Sequence, residues 1–111
     1  MKLHARRRLA PALWFAASVL LLAAPVRGDA AATYKSKCAV CHASNGSGDT
    51  AVGKSLKLGD LRSPAVQKQT DAQLIAMISD GKGGMPGYKD KLSADEIKQL
   101  AAYLRVLGKK K

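Results

Sequence analysis

The stretch CAVCHASNG, Cys38 to Gly46, places two cysteines three apart with a histidine directly after the second. Such a pair can be a redox couple, half of a zinc site, a disulfide, or two points where a prosthetic group is fixed through thioether bonds. Each use requires different company. A redox pair of the thioredoxin kind belongs in a strand–helix–strand setting. A structural zinc site takes four ligands, whereas residues 29 to 111 hold two Cys and one His. A disulfide between Cys38 and Cys41 suits an oxidising compartment but closes so short a loop that it removes little chain entropy. The rest of the chain decides among them.

Upstream, Lys2, Arg6, Arg7 and Arg8 precede an uncharged run from Ala12 to Ala24, apolar except for Ser18, and small residues follow. This is the pattern of a secretory signal, and the run is short for a spanning helix. Cleavage is expected after Gly28, Ala30 or Ala32, and a cut after Gly28 leaves a single domain, residues 29 to 111, in the periplasm. The alternative is an uncleaved anchor that tethers the domain to the inner membrane. The 83 residues after Gly28 have Tyr34, Tyr88 and Tyr103 as their aromatics, because Trp14 and Phe15 lie upstream. A core of that size is marginal without help. The same residues carry 14 Lys and Arg against 8 Asp and Glu, a net charge of +6, ending in a short basic tail. With export expected and no aromatic-interleaved basic patch, nucleic acid is not a partner.

Downstream, the patterning is helical throughout. A first helix is expected from about Ala30 to Cys41, and Ala43 to Ser55 reads as a loop from its Gly, Ser, Asn and Asp content. Ser63 and Pro64 open a short helix. Thr70 and Gln73 have capping-box spacing at the start of a helix that carries Leu74, Ile75 and Ile78 and stops at Gly81. The glycine-rich GKGGMPGYKDKL is not helical. Ser93 and Glu96 form a second capping box before the stripe Ile97, Leu100, Ala101, Leu104 and Leu107, with Gly108 as the stop. Short helices joined by long loops make a poor self-contained bundle. Something apolar must sit among them.

On a helix, Cys38, Cys41 and His42 stand at i, i+3 and i+4 and share a face. C-x-x-C-H is the attachment signature of c-type haem, in which two cysteines form thioether bonds and the imidazole reaches the iron. From Ala30 to Leu107 the chain resembles a class I cytochrome c, a small monohaem electron-transfer protein. CAVCH matches the attachment site, GGMPGY the loop whose methionine takes the sixth iron position, and Tyr34 and Tyr103 the aromatics where the terminal helices cross. One departure is Ala30, where many members carry glycine eight residues before the first cysteine.

The resemblance implies an all-α fold wrapped around one covalent haem c, with Cys38 and Cys41 as attachment points and His42 and Met85 as iron ligands. Independently of it, Gly83 and Gly84 allow close backbone approach and Pro86 holds Met85 in extended geometry, which can present a thioether to iron. Met85 could instead fill a gap in the core. Met77, on the helix of Leu74 and Ile78, is expected to pack. Tyr34 and Tyr103 read as core aromatics, Tyr88 as a ring covering the haem edge, and Gly46, Gly48 and Gly53 as turn residues.

With both axial positions filled, iron can only change valence, so the expected role is a soluble, monomeric one-electron carrier and not an enzyme. Lys35, Lys37, Lys54, Lys57, Lys82, Lys89 and Lys91 lie near the two motifs in sequence and would steer it toward redox partners with acidic docking surfaces. The alternatives are a haem protein with a labile methionine acting as peroxidase or gas sensor, or a membrane-tethered subunit of a redox complex.

Overall fold

The structure, a computed structural model, describes residues 28–110. Six helices follow in order: α1 (Gly28–Lys37), α2 (Ala39–His42), α3 (Ala51–Ser55), α4 (Pro64–Gln67), α5 (Asp71–Asp80) and α6 (Ala94–Lys109). Among the described residues there is no strand, and the one bridge pairs Lys82 with Met85. The fold is all-α, as the periodicity implies. The expected signal segment, residues 1–28 with its Ala12–Ala24 run, lies outside the described residues except for Gly28, which opens α1. No helix among the described residues is long and apolar enough to cross a membrane.

Both capping boxes form. The Thr70 hydroxyl accepts from Gln73 N at 3.1 Å while Thr70 N donates to Gln73 Oε1 at 2.9 Å. Ser93 and Glu96 repeat the exchange at 3.1 and 2.7 Å. Each box satisfies amides that the first helical turn leaves without partners. At α4, by contrast, the Ser63 side chain makes no capping bond, and Pro64 starts the helix through its fixed φ.

Three expectations need correction. The first helix does not run unbroken to Cys41: α1 ends at Lys37, and Cys38, at φ −111° and ψ −36°, joins it to α2. The stretch from Ala43 to Ser55 is not all loop, because Thr50 caps α3 by accepting from Gly53 N at 2.8 Å. The last helix continues past Gly108 to Lys109. Gly108 serves packing there: a Cβ would lie 2.5 Å from Gln67 Cδ, whose amide donates to Leu61 O at 2.8 Å and Leu104 O at 3.1 Å.

The core lies where α1 and α5 meet α6. Tyr34, Leu74, Ile78, Ile97, Leu100, Ala101, Leu104 and Leu107 are buried together. Ala30 is also buried, at 3 % exposure. Tyr34 is a core aromatic as expected, whereas Tyr103 is half-buried and packs against the core. Their ring centroids lie 5.2 Å apart with planes tilted by 53°, a geometry that adds attraction beyond area burial. Arg105 fastens α6 to the α4–α5 joint by donating to Gln67 O, Gln69 O and Asp71 Oδ1. These contacts build one side of a scaffold. The other side carries the sulfur and imidazole groups.

Candidate functional site

Cys38, Cys41 and His42 come from the joint between α1 and α2 and from α2 itself, and the chain after them holds that short helix in place. Four residues cannot form a stable helix alone, and their terminal carbonyls need partners. Each finds one. Thr50 Oγ1 donates to Cys41 O at 2.7 Å, Gly48 N to His42 O at 2.8 Å, and the Tyr34 hydroxyl to Ala43 O at 2.7 Å. Ala43 itself takes a left-handed φ of 64°. Gly53 then presses against α2 so closely that a Cβ would stand 2.6 Å from Cys41 O and 2.2 Å from Gly48 O. Its glycine is required by this approach within α3, not by a turn.

Met85 arrives from the opposite side, on the loop after α5. That loop is tight. Lys82 and Met85 exchange N–H···O bonds at 3.0 Å in both directions, and Tyr88 N returns to Ile78 O at 3.0 Å. Gly81 ends α5 at φ 70°, and a Cβ there would lie 2.4 Å from Met85 O. A side chain at position 81 would therefore displace the peptide that presents Met85. Gly84 faces Leu56, with its Cβ position 3.1 Å from Leu56 Cδ1, while Gly83 faces open space.

These groups converge on one concavity. A cavity of about 300 Å³ is lined by Cys38, His42, Met85 and Tyr88 and walled by Leu58, Leu61, Val66, Leu74, Ile78, Leu100 and Leu104. A smaller opening of about 40 Å³ shares Cys38, His42, Leu58, Met85 and Tyr88, and adds Cys41, Lys37, Leu56, Gly84 and Pro86. Cys38, Cys41, His42, Met85 and Tyr88 thus all border the smaller opening, and all but Cys41 the larger cavity. Met77 departs from expectation: it is 38 % exposed and lines the larger cavity. Of the lysines named above, Lys37 lines the smaller opening and Lys82 the larger. Lys54 pairs with Asp49 at 3.0 Å, Lys89 with Asp80 at 3.7 Å, and Lys91 sits 5.6 Å over the Tyr88 ring.

The electrostatics suit a metal-bearing macrocycle. Burial pushes the His42 pKa down, so the imidazole is neutral at neutral pH and keeps a lone pair for iron. Its Nδ1 is buried without a hydrogen-bond partner. Cys38 and Cys41 are not joined to each other in a disulfide, and burial, reinforced by the neighbouring Cys41, pushes the Cys38 thiol up to about 11. Burial also raises Tyr88, with the two cysteines adding to the effect. Two thiols, a neutral imidazole and a thioether around an apolar cavity are a donor set that fits a c-type haem.

A helical fold with this donor set is that of the small covalent-haem domains. The family described as cytochrome C oxidase, cbb3-type, subunit III matches residues 27–104. Cytochrome c6 of Leptolyngbya boryana is 40 % identical over 79 residues, covering 68 % of this chain and 89 % of that protein. Cytochrome c6 of Synechocystis sp. is 36 % identical over 73 residues, covering 66 % of this chain and 58 % of that longer protein. Among solved structures, the KustC0563 c-type cytochrome superposes with a TM-score of 0.65 at 28 % identity, over 70 % of this chain and 95 % of that one. The chain belongs to the cytochrome c family, as a monohaem class I member. Its cofactor is a covalently bound c-type haem, and its role is electron transfer with redox partners.

Proposed function

We propose that Cys38 and Cys41 carry the haem through thioether bonds, that His42 and Met85 ligate its iron, and that the protein is a periplasmic one-electron carrier. The observation that carries this reading is the convergence of those four side chains on one apolar cavity from two separately braced segments. When bound, the haem supplies a one-electron couple.

The protein's own residues do the rest. Cys38 and Cys41 would hold the macrocycle covalently, and α2, braced through the Cys41 and His42 carbonyls, would keep the His42 imidazole at a set place. The closed turn from Gly81 to Tyr88 offers Met85 as a soft donor, which favours the ferrous state over a second nitrogen or thiolate ligand. Leu58, Leu74, Ile78, Leu100 and Leu104 exclude water from the faces, and this raises the potential further. Neither ligand has to leave, so reorganisation is small. Tyr88, at the mouth shared by both openings, covers the edge. Lys37 and Lys82 border the same openings and are exposed, which supports acidic docking partners. The basic n-region and apolar run of residues 1–28 support export.

The test is the visible spectrum of the exported protein made in a host that attaches c-type haem. Low-spin bands, with a weak red Met-to-iron band in the ferric form that disappears in Met85→Ala, are expected. A high-spin spectrum, or one indifferent to Met85→Ala, would return the reading to an open, catalytic or sensing iron.

A further inference from the structure

The two ligand-bearing segments are far apart in sequence, and what joins them governs how firmly Met85 is held. Within its own loop Met85 is stiff: the Lys82 exchange fixes it from one side, and on the other Gly87 is pressed against α5, where a Cβ would meet Ser79 O at 2.7 Å. The loop's bonds to Met77, Ile78 and Ser79 return to α5, the helix from which it springs. One hydrogen bond crosses to the other segment. The Tyr88 hydroxyl donates to Lys37 O at 3.2 Å, bridging 51 positions of sequence to the residue immediately before Cys38. The second fastener is apolar, Leu56 over Gly84.

From this geometry we infer that Tyr88 is a positioning residue for the methionine ligand: its hydroxyl latches the Met85 loop to the haem-attachment segment and so limits how often the thioether leaves the iron. The inference rests on the His42 and Met85 ligation proposed above. Pro86 and the crowded Gly87 make the short link from Met85 to Tyr88 stiff, so a ring anchored at Lys37 O restrains the sulfur three residues away. Lys91 Nζ, 5.6 Å over the ring, adds a cation–π contact to the phenol. An exogenous ligand binds only the fraction of molecules in which methionine has left, so its apparent affinity reports the opening equilibrium.

The experiment is an imidazole titration of the ferric holoprotein, wild type against Tyr88→Phe, with the red Met-to-iron band and the denaturant midpoint read on the same samples. Tyr88→Phe keeps the ring and its packing and loses only the hydroxyl. Removing one partly exposed neutral hydrogen bond should tighten imidazole binding roughly three- to tenfold, with the red band present in both proteins. Ser93→Ala serves as control: it removes the N-cap of α6 at a residue lining neither opening, so it should lower the midpoint without changing imidazole affinity. Equal affinity in wild type and Tyr88→Phe overturns the latch while leaving the ligation intact. A wild type without the red band overturns the ligation, and the latch with it.

Discussion

Gly81 shows how one position can decide whether a ligand is presented. Its φ of 70° is disfavoured for any side chain, and a Cβ would stand 2.4 Å from Met85 O. Gly81→Ala should cost at least about 2 kcal/mol, above the usual penalty for alanine at positive φ, and should weaken the red band before global unfolding; a denaturation series followed at both wavelengths checks this. Tyr34 makes a pH prediction. Burial, with Cys38 and Tyr103 adding to it, raises its phenol pKa above the ordinary 10.0. Its contribution to stability is therefore complete below pH 10, where the unfolded chain also keeps the proton, and is lost as pH rises beyond it, by up to about 1.4 kcal/mol per pH unit. Tyr34→Phe should flatten that alkaline slope in denaturation at pH 9 to 11, at a cost of about 1 kcal/mol for the bond to Ala43 O. Of these residues, the motif at Cys38, Cys41 and His42 was plain in the sequence because its spacing is local. The bond from Tyr34 to Ala43 and the orphaned Nδ1 of His42 were not, because they depend on where a loop folds back.

At the scale of elements, legibility followed length and capping. The helices α5 and α6 carry reciprocal caps and a stripe, so both were readable. The helix α3 was hidden because five residues hold too little periodicity and the glycine at 53 argues for a loop until its contact with Cys41 O is seen. The break at Cys38 was equally silent, since nothing in KCAV marks it. The helix α1 bears on processing. Ala30 is 3 % exposed at the crossing with α6, so a cut after Ala30 or Ala32 would remove a buried residue and part of the helix that carries Tyr34. A cut after Gly28 keeps Ala30 and takes only the first residue of α1. Amino-terminal sequencing of the exported protein should therefore read Asp-Ala-Ala-Ala, and a start at Ala31 or Thr33 would show that the crossing tolerates the loss.

At the scale of the whole molecule, among the described residues, one acidic cluster lies apart from the lysines at the two openings. Asp29, Asp95 and Glu96 gather where α1 and α6 begin, while Lys37 and Lys82 border the haem openings. Such a separation, added to the net positive charge, would orient the protein before contact as well as attract it. An acidic partner should therefore be met with the openings forward, and Leu56 and Pro86 beside Lys37 supply the apolar contact that lets it close. Raising ionic strength from about 10 mM to 150 mM shortens the screening distance from about 30 Å to about 8 Å, so the second-order rate with such a partner should fall by about an order of magnitude. Position should matter more than total charge. Lys37→Glu should reduce both the low-salt rate and its salt dependence, whereas Lys98→Glu, the same change on α6 at a residue lining neither opening, should do so weakly. Stopped-flow oxidation by an acidic redox protein at several ionic strengths separates the two. Equal effects from both variants would mean that overall charge alone attracts the partner and that the lysines at the openings have no directing part.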